Sequence, residues 1–173
     1  HTTWRHFPLG SLHLVMVEPG AHSATLLIEQ AGHFFIGPDN GVLSFVLPGE
    51  RCWRGPEACS NFKARDLYPE LAAAHLNGGL TLASFEAAPV RLDVEAPQVM
   101  AIDSFGNLIT NVPVTRIASG LRLNGQLIKQ VVTNYTELSA GQVALMAGSD
   151  ATIEIVAAGV SAAGLLKARP GQA

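Results

Sequence analysis

Ile102-Asp103-Ser104-Phe105-Gly106-Asn107-Leu108-Ile109-Thr110-Asn111 packs an acid, an aromatic, a glycine and two amides into one short run. A core strand alternates apolar and polar residues and avoids Gly, Asn and Asp. Here residues 99–102 begin as a strand, Gly106 breaks it, and Leu108 starts another. Two readings follow. One is a strand, a turn or bulge, and a second strand. The other is a ligand-facing elbow, in which Asp103 accepts hydrogen bonds, Phe105 offers a flat face and Asn107 offers both a donor and an acceptor.

Working outward, the downstream half reads as strands over 108–112, 121–123, 126–132, 143–147 and 152–156, with a short helix over 161–166. Turn residues separate them at short intervals, which predicts a small antiparallel barrel or sandwich. Residues 87–97 read as a linker. Upstream, strands are expected over 12–17, 24–29, 32–36 and 42–46, then a Gly-, Pro- and Arg-rich loop over 48–61. Asp66 is expected to cap a helix that has Pro69 in its first turn, runs to Leu76 and closes at Asn77-Gly78-Gly79. The chain thus divides into an α/β half, residues 1–88, and an all-β half, residues 97–173.

The 173 residues are 48% hydrophobic and only 14% charged, which favours a packed core over disorder. With a net charge of −3 and no basic run, the chain has no electrostatic footprint for nucleic acid. No apolar run reaches membrane-span length and nothing reads as a signal peptide, so no membrane partner is expected. Cys52 and Cys59 match no metal signature; a disulfide and a reduced cytoplasmic setting both remain open, with the cytoplasm as the expected location. The six histidines form no ligand pair on a helix face, so no metal site is expected. Trp4 and Trp53 are expected in packing or at an interface.

A second stretch, Phe34-Phe35-Ile36-Gly37-Pro38-Asp39-Asn40-Gly41-Val42-Leu43-Ser44, reads as a buried strand ending in a Pro-Asp-Asn-Gly turn. Taken in order with Asp103-x-Phe105-Gly106-Asn107, Gly148-Ser149 and Ser161-Ala162-Ala163, it resembles the S-adenosylmethionine hydroxide adenosyltransferases, relatives of the fluorinase and chlorinase enzymes. The resemblance runs from about Phe7 to about Leu166. It implies a partial, Rossmann-like α/β domain followed by a β-barrel-like domain. Family members usually begin with a βα unit carrying an Asp-Phe-Gly turn, and none is visible after His1. The expectation is a fragment, or a chain whose early segment is lost or left out.

The resemblance also implies an activity: water attacks C5′ of S-adenosylmethionine and methionine leaves as adenosine forms. No metal or organic cofactor is needed, and a homotrimer binding an adenosyl ligand is expected. By the same resemblance Asp103 meets the methionine amine, Phe105 lies near the substrate and Asn107 recognises adenine. Tyr135 lies over adenine, Ser149 holds the methionine carboxylate, and Ala158 offers backbone groups to adenine. Each also has a plainer reading: turn residue for Asp103, Asn107 and Ser149, core for Phe105, surface strand for Tyr135.

The water-activating half departs from the family pattern. Hydrolases of the family have Asp-Pro-Gly, where this chain has Glu18-Pro19-Gly20. Their following Arg falls at Ala24 or Thr25, and their Phe-His-Gly-Arg-Asp reads Phe62-Lys63-Ala64-Arg65-Asp66. Glu18 and Lys63 are therefore the catalytic candidates, with a turn acid and a solvated loop charge as the plainer readings. A charged lysine is a poor general base unless burial lowers its pKa, although it can orient a nucleophile. The competing expectation is a catalytically silent or altered relative that still binds an adenosyl ligand; a third is a domain that keeps only the fold.

Overall fold

A computed structural model of the chain describes residues 3–17, 23–56, 60, 62–81, 83–84 (backbone only) and 88–173. The fold is mixed α/β, mostly sheet with few helices, in two compact units, His1–Asp93 and Val94–Ala173.

In the first unit, β1 (Leu12–Leu14), β2 (Thr25–Gln30), β3 (His33–Pro38), β4 (Arg51–Arg54) and β5 (Ala83–Ser84) form a sheet ordered β1-β3-β2-β4-β5. Side chains alternate across the strands. Leu26, Ile28 and Phe35 join Leu43 and Val46 on one face. Leu27, Phe34 and Ile36 pack on the other against Leu67, Tyr68, Leu71 and Ala72. With both faces covered, β2 and β3 read as continuous apolar runs. Only the β1–β3 ladder is parallel; β2–β3, β2–β4 and β4–β5 are antiparallel. Among the described residues the sheet is thus mixed, with one parallel ladder. Its antiparallel neighbour comes from a tight hairpin at Ala31-Gly32, where both residues have positive φ (50° and 74°), as a two-residue type I′ turn requires.

Three local expectations are corrected here. Residues 44–46 form a 3-10 turn rather than a strand, because Ser44 Oγ donates to the Gly41 carbonyl at 2.6 Å and curls the chain. The Gly/Pro/Arg-rich segment contains β4, whose backbone completes the open edge of β2. The helix is split into α1 (Lys63–Asp66) and α2 (Tyr68–Leu76). Asp66 is thus the last residue of a one-turn helix and not the cap of α2; it accepts from Ser60 Oγ at 2.7 Å and from Arg65. The closing turn is as expected: Gly78 has φ 68°, and Gly79 N donates to Ala74 O at 2.9 Å.

In the second unit, β6 (Val99–Ile102), β7 (Leu108–Pro113), β10 (Val131–Val132), β11 (Val143–Ala147) and β12 (Thr152–Ala157) form a sheet ordered β10-β11-β12-β7-β6. A hairpin of β8 (Leu121–Leu123) and β9 (Gln126–Ile128) turns at Asn124-Gly125, again with φ positive at both residues. No ladder joins β6 to β10, so no closed barrel is found. Residues 126–132 do not stay one strand: they break between β9 and β10, and Gln130 O is taken instead by Leu145 N at 2.8 Å. The core is Val99, Leu108, Leu123, Leu145, Ile153, Ile155 and their neighbours. At a register shift between Thr152 and Glu154, Thr110 Oγ1 donates to Ile153 O at 2.6 Å, so the bulged carbonyl is not left bare. A last helix, α3 (Ala162–Leu166), is capped by Ser161, whose Oγ accepts from Gly164 N at 3.0 Å.

Candidate functional site

The loop between β6 and β7 is folded around one carboxylate. Asp103 Oδ1 accepts from Phe105 N and from Asn107 N, each at 2.9 Å, and Oδ2 accepts from Asn107 Nδ2 at 2.9 Å. The backbone closes the same loop, with Gly106 N on Asp103 O and Asp103 N on Asn107 O, both at 3.1 Å. Gly106 has φ 87°, and a Cβ there would lie 2.2 Å from Ser161 Oγ. Only glycine allows that conformation and that approach. The opening stretch is therefore a strand–turn–strand, with its turn folded around Asp103.

The elbow forms one side of an open cleft of about 730 Å³, lined by Phe105, Asn107, Tyr135, Thr136 and the run from Ala157 to Ser161. Phe105 is 80% exposed, Tyr135 44% and Asn107 only 3%. Two aromatic faces thus stand open beside one buried amide. Tyr135 begins a 3-10 turn (Tyr135–Glu137) held by a capping box between Asn134 and Glu137. Its hydroxyl accepts from Asn107 Nδ2 at 3.0 Å. Burial opposes ionisation of Asp103, but the hydrogen bonds from the side chain and backbone of Asn107, and from Phe105 and Gly106, hold its carboxyl below its usual range. Burial pushes the Tyr135 hydroxyl up, reinforced by the charges of Glu154 and Asp103. Glu154, on β12, is also pushed up, by burial and then by Asp103 and Asp150.

Of the residues singled out from sequence, Phe105, Asn107, Tyr135 and Ala158 meet in this cleft, and Asp103 stands behind Asn107. Ala158 N donates to Gln142 O at 3.3 Å and Ala158 O accepts from Gly141 N at 2.9 Å, so both its backbone groups already have protein partners. Ser149 is exposed in the turn between β11 and β12 and is not among the lining residues. In the other unit, Lys63 is buried and its Nζ donates to Ser23 O, unlike a solvated loop charge. Glu18 lies outside the described residues, as does Cys59.

Sequence reasoning missed three features. Gly159 and Val160 line the cleft, and their backbone N–H groups have no acceptor among the described residues. Glu154 sits in a strand between two isoleucines, a signal legible in Ile153-Glu154-Ile155. The Pro-Asp-Asn-Gly turn works within its own unit: Asp39 Oδ1 accepts from Val90 N at 2.7 Å, and Ser44 Oγ accepts from Leu92 N at 2.8 Å, pinning residues 90–92. Among the described residues, no group of three or more His, Cys, Asp or Glu could hold a metal ion, and no helix is long and apolar enough to cross a membrane.

Comparison with known proteins fits this geometry. The profile of the SAM hydroxide adenosyltransferase N-terminal domain matches residues 1–86, and that of the C-terminal domain matches residues 97–173. The chain belongs to the SAM hydroxide adenosyltransferase family. A relative named (R)-S-adenosyl-L-methionine hydrolase, from Methanocaldococcus jannaschii, is 32% identical over 62% of this chain and 44% of its own length. A relative of the same name from Salinispora tropica is 28% identical over 93% of this chain and 72% of its own length. The match to the archaeal relative thus spans less than half of that protein. An uncharacterized conserved protein of Thermotoga maritima superposes with a TM-score of 0.81 at 22% identity, covering 99% of this chain and 78% of that one. A conserved hypothetical protein of Thermus thermophilus gives 0.76 at 22%, covering 99% and 76%. At that identity these two structures speak for the fold alone.

Proposed function

We propose that this protein hydrolyses S-adenosylmethionine to adenosine and methionine. A water oxygen bonds to C5′ as the C5′–S bond breaks; the bond's electron pair neutralises the sulfonium, and the water's surplus proton is released. Such an in-line displacement asks the protein to align three atoms and exclude competing solvent. The carrying observation is the cleft between Phe105, Tyr135 and the buried Asn107, in a chain of this family. Its open aromatic faces suit a purine, and its amide suits the purine edge.

In this reading Asp103 serves the methionine amine, Ser149 the carboxylate, and Ala158 with its neighbours the base. Glu18 and Lys63 order the water. Lys63 already donates to the Ser23 carbonyl, so in this reading it is held in place to orient the water. That same contact favours a second reading, a relative that binds the adenosyl ligand without turnover. The reading includes a homotrimer with no metal or organic cofactor, the Rossmann-like and barrel-like domain plan that the resemblance implies, and a cytoplasmic location. Chromatography of S-adenosylmethionine incubated with the protein tests it. Adenosine that vanishes in Glu18→Ala supports hydrolysis; binding without product supports the silent relative; neither binding nor product overturns both.

A further inference from the structure

The Asn107 amide is held by two acceptors of different kinds. Asp103 is a carboxylate below its usual range, so it can only accept, and this fixes which end of the amide is nitrogen. That contact uses one of the two N–H bonds. The second points at the Tyr135 hydroxyl, 3.0 Å away. Nothing among the described residues bonds Asn107 Oδ1, and Asn107 lines the cleft.

We propose that the Tyr135 hydroxyl, and not only its ring, sets the base specificity of the cleft by occupying the second Asn107 N–H, so that the buried amide shows the ligand an acceptor alone. The inference rests on the adenosyl reading above and deepens it. An amide with both N–H groups taken accepts from an exocyclic amine, as on a 6-aminopurine. It meets the carbonyl of a 6-oxopurine with oxygen facing oxygen and no proton between them. A site built this way discriminates well, because the wrong base leaves a desolvated acceptor unpaired. Gly159 and Val160 line the same cleft with backbone N–H groups that no described residue takes, and donors of that kind to ring nitrogens would complement a lone acceptor rather than duplicate it. Tyr135 is here a positioning residue for Asn107. A phenylalanine would keep the aromatic face and free one N–H, and the freed donor would admit the oxo base.

Calorimetric titration of wild type and Tyr135→Phe with adenosine and with inosine tests this. Wild type should favour adenosine by about tenfold or more, the factor that one unsatisfied buried polar group produces. In Tyr135→Phe the preference should shrink to about threefold or less, chiefly through tighter inosine binding. A variant that keeps the wild-type ratio overturns the proposal while leaving the adenosyl reading intact. The side-chain amide protons of Asn107, followed by nitrogen-15 NMR in the ligand-free protein, give a readout that needs no ligand. Two protons protected from exchange in wild type and one in Tyr135→Phe are expected; an Asn107 amide with the same protection in both proteins overturns the proposal. Wild type that binds neither adenosine nor S-adenosylmethionine overturns the functional reading and the specificity claim with it, and the amide protons then report on the lock alone.

Discussion

Asn107 Nδ2 lies 2.9 Å from Asp103 Oδ2, so the only acid in the β6–β7 turn is also the group that fixes the only buried amide of the cleft. Through its other oxygen the same acid holds two backbone N–H groups of that turn. Loop shape and amide orientation are therefore one property. Replacing Asp103 with Ala should release both, at a cost of about 1–3 kcal/mol in stability, since three donors lose a charged acceptor. Urea unfolding of the two proteins measures this. Adenosyl-ligand affinity should fall as well, by more than in Asp103→Asn, which can still accept through one oxygen.

Gly106 ties the elbow to the start of α3. Its carbonyl accepts from Ala163 N at 2.9 Å, and a Cβ would come within 2.9 Å of the Ser161 backbone as well as striking its side chain. Gly106→Ala must both strain a left-handed backbone and push Ser161 away. A loss of about 2 kcal/mol or more is expected, read as a lower thermal midpoint. The same change should weaken ligand binding, because Ser161 lines the cleft.

Glu154 provides a pH signature. Burial and the nearby charges of Asp103 and Asp150 raise its folded pKa above the ordinary 4.5. Folding therefore favours the protonated form. That contribution is complete below the unfolded pKa and is lost as pH rises through the folded one. Glu154→Gln should melt higher than wild type at about pH 7.5 and close to wild type at about pH 4. Thermal melts at the two pH values decide it; a variant less stable at both would mean that the charge of Glu154 is stabilising.

The first unit should respond to acid in the opposite sense. His13 Nε2 lies 3.1 Å from His33 Nδ1, and its ring stacks on Phe35 at 4.7 Å. Burial and then the charge of His33 lower the His13 pKa below 6.5. Its contribution is present above the unfolded value and is lost as pH falls through the folded one. His13→Gln should flatten the loss of stability below about pH 6.5. Trp4 packs edge-on to His33 at 5.0 Å, so tryptophan fluorescence is a natural probe.

Several strands of the second unit were legible because they are short apolar runs closely bounded by Gly, Asn or Asp. β6, β8 and β11 fall where the pattern places them. The first unit was less so. β2 and β3 are buried on both faces, so the period-2 signal is absent there, and the hairpin between them turns on Ala31, a residue that seldom takes a positive φ. The strand within the Gly/Pro/Arg segment depends on a partner distant in sequence, β2, and the 3-10 turn at Ser44 closes locally on Gly41 inside an apolar run that reads as strand. In the site, residue types named the aromatic and amide groups but could not show that Asn107 spends both its N–H groups internally. That fact needs Tyr135, 28 residues away.

The most direct test of the central claim is hydrolysis of S-adenosylmethionine in water labelled with oxygen-18, with adenosine and methionine analysed by mass spectrometry. The account predicts equal amounts of both, with the label in the adenosine 5′-hydroxyl and none in methionine. Absence of adenosine, or label in any other product, would contradict attack of water at C5′.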